Sequence, residues 1–116
     1  MGMEQALITL TTDFGAGSPY VGAMRGVILS INRAARGIDL SHSVPPQDIV
    51  GGAWSLSQAA LHFPLRTIHI AVVDPGVGSA RAIVYVEMAG HRFIAPDNGL
   101  LGRLAAAHQP SKIIQV

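Results

Sequence analysis

Short apolar segments alternate with longer amphipathic ones along the first part of the chain. Leu7–Thr11 is apolar and rich in β-branched residues, which predicts a buried strand. Ser18 and Pro19 suit the N-cap and first turn of a helix. Four apolar residues then follow at helical spacing: Val21, Met24, Ile28 and Ile31. Asn32 stands where this helix is expected to end.

The same alternation predicts a second helix between two further strands. Ile38–Leu40 reads as a short strand, and Asp48 suits the N-cap of a helix that Pro64 closes. One face of this helix is apolar, with Ile49, Ala53, Leu56 and Ala60. Thr67–Val73 predicts a third strand. Its consecutive apolar residues are typical of a strand buried on both faces, as in a parallel sheet.

The last third of the chain predicts a hairpin, a helix and a strand. Ala82–Met88 and Arg92–Ala95 are joined through Ala89–Gly90, which favours an antiparallel hairpin. Leu100–His108 predicts a third helix, and Ile113–Val116 a final strand. This order predicts an α/β fold, with a mostly parallel sheet, flanking helices and one antiparallel hairpin.

Two glycines lie four residues apart on the first predicted helix, Gly22 and Gly26. Glycine lowers helix propensity, so its presence within a helix calls for a structural reason. We expect these two glycines to let the helix backbone approach the sheet closely.

Composition adds a prediction about the surface. The 116 residues fit one domain, and 13% of them are charged, compared with about 25% in an average globular chain. Mean hydropathy is +0.39. So few charges favour a surface that is partly covered, by another subunit or by a further domain. The alternative is simply a small apolar domain.

Several classes of function are disfavoured. The eight Lys and Arg residues are scattered at a net charge of +1, which argues against nucleic acid. The chain has no cysteine, and its five histidines lack a metal-binding spacing, so we expect no metal site. The N-terminus does not resemble a signal peptide. Residues 49–65 carry no Asp, Glu, Lys or Arg but contain too many polar residues for a membrane span. A soluble cytoplasmic protein is therefore expected.

Polar residues follow each predicted strand of the sheet, where open α/β sheets bind ligands. They are Asp13, Ser41–Ser43, Asp74, and Asp97 with Asn98. Because parallel strands end at the same edge, we expect Asp13 and Asp74 to face one crevice. Either acid alone is more simply interpreted as a turn former or helix cap. Their shared position favours a binding site.

The loop after the first strand resembles known nucleotide motifs only in part. In GAGSPYVG, Tyr20 stands where a dinucleotide fingerprint needs its third glycine, and no GK[ST] follows. A carboxylate at such a turn can still accept hydrogen bonds from both hydroxyls of a ribose, so Asp13 is the candidate for that role. A plain strand-to-helix turn is the alternative.

The segment AVVDPGVGSAR places an acid and a base around a glycine turn. Gly76 and Gly78 would allow the loop to fold back, so that Arg81 reaches Asp74. A nearby cation favours the ionised carboxylate, which orients a water molecule well but accepts a proton weakly. Arg81 could also stabilise a developing hydroxide. The pair suits positioning a small oxygen nucleophile, and a structural salt bridge is the alternative.

Five stretches together resemble the S-adenosylmethionine hydroxide adenosyltransferase family, which is similar to the S-adenosylmethionine-dependent fluorinases and chlorinases. They contain TTDFG, SPYVGAMRG, HSVPPQDI, VVDPGVGSAR and APDNGLL, in order over nearly the whole chain. The resemblance implies that water attacks C5′ of S-adenosylmethionine and releases adenosine and methionine, with no cofactor. By position, it implies that Asp74 and Arg81 handle the water and that Asp13 binds the ribose. Gln47 and Asn98 are the further substrate-binding candidates.

The resemblance also implies a longer protein. Family members have a C-terminal β-rich domain and form homotrimers, with adenosine between the N-domain of one subunit and the C-domain of the next. We therefore expect residues 1–116 to be a truncated N-terminal domain that does not turn over S-adenosylmethionine efficiently alone. The family's third catalytic residue, a histidine in a TFHGRD-like motif, matches none of the five histidines here.

Two alternatives concern the chemistry. A carboxylate beside a halide site would repel the anion, so Asp74 favours hydrolysis over halogenation. The hairpin, with just Ala89–Gly90 between its strands, also lacks the long insertion of the fluorinase. The main alternative is a nucleoside-binding or structural domain without chemistry of its own. A phosphate-binding domain is less favoured, because the phosphate motifs are missing.

Overall fold

A computed structural model of the chain describes residues 5–74 and 82–116. Its strands are β1 (Leu7–Thr12), β2 (Arg36–Ser41), β3 (Ile68–Val72), β4 (Ile83–Met88), β5 (His91–Pro96) and β6 (Lys112–Gln115). Its helices are α1 (Pro19–Ile31), α2 (Ile49–Ala59), which continues as a 3₁₀ turn at Ala60–His62, and α3 (Gly102–Ala107). The predicted α/β fold is confirmed.

The six strands form one mixed sheet in the order β2-β1-β3-β5-β4-β6. β1 pairs with β2 and β3 in parallel, and β3 pairs with β5 in parallel. β4 is antiparallel to both β5 and β6. The predicted hairpin is confirmed. Its turn has positive φ at both Ala89 (53°) and Gly90 (78°), as a type I′ turn requires.

The predicted helix caps are also confirmed. The Ser18 side chain accepts a hydrogen bond from the Tyr20 N–H, and that of Asp48 accepts one from the Gly51 N–H at 2.9 Å. Asn32 ends α1, with its N–H donating to the Ile28 carbonyl. No helix in residues 5–74 and 82–116 is long and apolar enough to cross a membrane.

The main core lies between the sheet and α2 with α3. Leu56 of α2, Leu104 of α3 and Phe93 of β5 belong to one buried cluster with Ala71 of β3. Ile70, the neighbour of Ala71, points to the opposite face, where it lines a cavity beside α1. β3 therefore alternates between buried and half-buried residues. The expectation that it is buried on both faces was wrong, because a cavity separates α1 from this part of the sheet.

The expectation that Gly22 and Gly26 allow a close approach was also wrong. A Cβ atom at either position would meet no heavy atom within 4 Å. The close approach is at Gly52 of α2, where a Cβ would lie 2.8 Å from Leu100 Cδ1 and 3.3 Å from Val73 Cγ2. Helical spacing alone does not reveal which glycine faces the core.

Replacing Gly52 by alanine is therefore expected to lower the free energy of unfolding by about 1–3 kcal/mol, because Leu100 and Val73 are buried and have little room to move. Gly26→Ala is the matched control and is expected to raise it by roughly 0.5–1 kcal/mol. Urea unfolding of both variants measures the difference. Equal effects of the two substitutions would contradict this assignment.

A hydrogen-bonded chain of buried side chains crosses the sheet within the core. Thr9 Oγ1 lies 2.6 Å from His69 Nδ1, and His69 Nε2 lies 3.0 Å from His91 Nδ1. His69 is fully buried and stacks on Phe93. Burial, with a smaller contribution from the charge of His91, lowers the pKa of His69 to about 4. Burial also lowers the pKa of His91.

Acid is therefore expected to destabilise the fold through His69. Its pKa is near 6.5 in the unfolded chain and about 4 in the folded one, so the unfolded chain binds more protons between these values. The free energy of unfolding is therefore highest above pH 6.5 and should fall by about 2 kcal/mol between pH 7 and pH 5. Urea midpoints at both pH values measure this loss, and His69→Gln should reduce it. The exposed His62→Gln is the control. An unchanged loss in His69→Gln would disprove the assignment.

Candidate functional site

The end of β1 and the end of β3 bring two acids to one edge of the sheet. The strands are parallel neighbours, and Thr12 stands opposite Val72 in register. Asp13 follows β1 directly, and its N–H donates to the Val72 carbonyl at 3.4 Å. Asp74 follows two residues after Val72. The predicted position of both acids at a common edge is confirmed.

Both acids line the same cavity, which has a volume of about 970 Å³. This volume falls within the roughly 300–1,000 Å³ of small-molecule sites. Its walls are formed by α1, by Ile70 of β3 and by the loop before α2, and they are mostly apolar. The other described lining residues are Phe14, Tyr20, Ala23, Met24, Val27, Ile28, Pro46 and Gln47. An apolar cavity with a few convergent polar groups can bind a flat, partly polar ligand.

A backbone hydrogen bond fixes the Asp13 carboxylate. The Gln47 N–H donates to Asp13 Oδ2 at 2.7 Å. Gln47 has a φ of 64°, in the left-handed region that non-glycine residues rarely adopt. A carboxylate has about four lone-pair positions, so this bond orients Asp13 and leaves it able to accept further hydrogen bonds. Gln47 therefore contributes to the cavity through its backbone N–H.

The other three predicted site residues, Asp74, Asn98 and Arg81, do not all line the cavity among the described residues. Asp74 is half-buried at the cavity and follows Val73, which is fully buried. Asn98 is not among the described lining residues. Its side chain donates to the Val73 carbonyl at 2.9 Å and accepts from the Leu100 N–H at 3.1 Å, so it braces the chain just before Asp74. Arg81, the predicted partner of Asp74, lies outside the described residues. The roles of Asp74, Asn98 and Arg81, like those of Asp13 and Gln47, stay predictions.

Sequence reasoning placed His42 at the edge of the sheet, within Ser41–Ser43, but gave it no role. Its ring contacts Thr12 at the end of β1 and Asp39 of β2. Burial tends to raise the pKa of Asp39, but hydrogen bonds from His42 and Arg25 outweigh it and hold the pKa below its ordinary value. The sequence feature that could have indicated this role is the position of His42 directly after β2, between Ser41 and Ser43.

The chain is similar in sequence and structure to several known proteins. It is 44% identical over 115 residues to a protein of Methanocaldococcus jannaschii named (R)-S-adenosyl-L-methionine hydrolase, covering 95% of this chain and 43% of that protein. It is 24% identical over 125 residues to a fluorinase of an Actinoplanes species, covering 88% and 42%. A crystal structure of an uncharacterized conserved protein from Thermotoga maritima superposes with a TM-score of 0.90 at 36% identity, covering 94% and 42%.

The chain thus spans less than half the length of these relatives. Residues 8–116 match the family described as SAM hydroxide adenosyltransferase N-terminal domain, in which SAM is S-adenosylmethionine. This match covers all the strands and helices described above, apart from Leu7, the first residue of β1. The chain therefore belongs to the SAM hydroxide adenosyltransferase family and represents its N-terminal domain.

Proposed function

We propose that the protein hydrolyses S-adenosylmethionine to adenosine and methionine. The observation that carries this proposal is the convergence of Asp13 and Asp74 on one apolar cavity at the carboxyl ends of parallel strands. The relative from Methanocaldococcus jannaschii, named as a hydrolase of this compound, supports the same reaction.

The proposed step is a displacement at C5′ of the ribose. The oxygen of water forms a bond to C5′ while the bond between C5′ and sulfur breaks, and its electron pair goes to sulfur. Methionine leaves as a neutral thioether, and the attacking water loses one proton to the carboxylate or to solvent. Because the leaving group is neutral, no general acid is needed, so holding water in line supplies much of the acceleration.

Each site residue has a proposed role. Asp13 accepts hydrogen bonds from the ribose hydroxyls, and the apolar walls enclose the adenine. Asp74 orients the water, assisted by Arg81. Gln47 borders the substrate through its backbone, and Asn98 contributes by holding the chain before Asp74. A negative charge at position 74 disfavours a halide nucleophile, which supports hydrolysis over halogenation.

The setting of the reaction is part of the proposal. We propose that the protein is a cytoplasmic homotrimer. It acts on a small molecule, uses no cofactor, and binds neither nucleic acid nor a membrane. Large apolar side chains that remain exposed away from the cavity support a covered surface, among them Ile31 (70%) of α1 and Val50 (78%) and Trp54 (53%) of α2.

The test uses two proteins in parallel. One is the 116-residue chain. The other is a chimera in which this chain replaces the matched N-terminal segment of the Methanocaldococcus jannaschii hydrolase. Adenosine release from S-adenosylmethionine is followed by chromatography. We expect the chimera to release adenosine and the chain alone to be much slower. A folded chimera that binds adenosine without turnover would replace this proposal by a nucleoside-binding role.

A further inference from the structure

A chain of polar side chains connects the end of β1 to α1 behind the cavity. Thr12 Oγ1 lies 2.8 Å from His42 Nδ1, and His42 Nε2 lies 2.7 Å from Asp39 Oδ1. The other oxygen of Asp39 forms an ion pair with Arg25 of α1. Arg25 and Asp39 are more than a third exposed, whereas Thr12 is fully buried and His42 is 6% exposed. Exposed ion pairs contribute little, so the geometry depends mainly on the buried Thr12–His42 bond.

The chemistry of these groups orients the imidazole. A carboxylate only accepts hydrogen bonds, so His42 Nε2 carries the hydrogen that Asp39 accepts. In the neutral ring Nδ1 is then an acceptor, and the Thr12 hydroxyl donates to it. Thr12 Oγ1 in turn accepts the Phe14 N–H at 3.2 Å. Each ring nitrogen has a complementary partner, so the ring has one favoured orientation.

Two hydrogen bonds tie this chain to the residues next to Asp13. The Phe14 N–H donates to Thr12, which is held by the His42 ring. The Gly15 N–H donates to the His42 carbonyl at 2.9 Å. His42 therefore holds the backbone immediately before and after Asp13, while the Gln47 N–H orients the carboxylate itself.

We infer that His42 is a positioning residue for Asp13: its imidazole fixes the turn after β1 so that the carboxylate faces the cavity and is ready for ribose. The part that concerns ribose rests on the proposed function. The part that concerns the orientation of Asp13 does not, since it can be measured without ligand.

The test separates the two ring nitrogens. The amide of asparagine lies as many bonds from Cα as Nδ1, so His42→Asn keeps a partner for Thr12 and loses Asp39. The amide of glutamine corresponds to Nε2, so His42→Gln keeps Asp39 and loses Thr12. Amide hydrogen exchange of the ligand-free chain is measured at Phe14, Gly15 and Gln47, and adenosine affinity is measured by calorimetry on the chimera that carries the same substitution. The exposed His62→Gln is the control.

We expect His42→Gln to lower protection at these amides and adenosine affinity about tenfold each, as the loss of one buried hydrogen bond implies. His42→Asn should stay within about threefold of the wild type, even if both variants melt at similarly lowered temperatures. Equal exchange and affinity in the two variants would reduce His42 to a structural role and overturn the inference. If the exchange pattern holds but the chimera with the wild-type chain does not bind adenosine, the ribose role of Asp13 fails while the positioning of Asp13 stands.

Discussion

Replacing Asp74 by asparagine in the chimera is expected to reduce kcat for adenosine release by at least ~10²-fold, with a small change in adenosine affinity. Asparagine keeps the size of the side chain but loses the charge that orients water behind C5′. Misplacing a reacting group by about 1 Å costs on the order of 10²-fold. Single-turnover assays give the rate of the chemical step, and calorimetry with adenosine gives the affinity.

Asp97→Asn is the matched control for this prediction. Asp97 also follows a parallel strand of the sheet, β5, but it is exposed and is not among the described residues lining the cavity with Asp13 and Asp74. The Asp97→Asn substitution should leave kcat within a factor of about two of the unsubstituted chimera. An Asp74→Asn enzyme as fast as the Asp97→Asn enzyme would remove Asp74 from the mechanism.

Replacing Asp13 by asparagine is expected to act on binding instead. Asparagine can still accept the hydrogen bond from Gln47, but its NH₂ group cannot accept a ribose hydroxyl. Hydrogen bonds to charged groups contribute about 1.5–3 kcal/mol, so the Kd for adenosine and the KM for S-adenosylmethionine should rise by about 10–100-fold. Calorimetry and steady-state kinetics of the chimera measure both.

Comparing adenosine with 2′-deoxyadenosine isolates the contact of Asp13 with the ribose. The wild type should prefer adenosine by about tenfold or more, and the Asp13→Asn variant should lose most of this preference. The two substitutions, one on the protein and one on the ligand, form a double-mutant cycle. A variant that still discriminates as strongly as the wild type would show that another residue reads the 2′-hydroxyl.

The order of elements and the edge that carries the site could be predicted from local patterns. The caps Ser18 and Asp48, and the turn Ala89–Gly90, are local chemistry, so their prediction needed no tertiary information. The common position of Asp13 and Asp74 followed from the parallel arrangement of the strands that precede them.

Other features depended on contacts between distant residues. Gly52 is distinguished from Gly26 by Leu100, nearly fifty residues further along the chain. The Thr12–His42 bond depends on how β1 and β2 are placed, and no spacing in the sequence indicates it. The left-handed backbone conformation of Gln47 could not be predicted either, because PPQD contains no glycine, the residue that usually marks this conformation. This conformation directs the Gln47 N–H towards Asp13.

The position of β1 in the interior of the sheet has a consequence for biosynthesis. Its partner β2 follows soon after it, but Ile8 also pairs with Ile68 of β3, 60 residues later (68 − 8). A ribosome that adds ~5–20 residues per second needs roughly 3–12 seconds for this distance. During that time one edge of β1 has no neighbour in the nascent chain and is open to chaperones. The crevice beside β1 and β3 therefore forms only after β3 is available, when β1, α1 and β2 have already been synthesised.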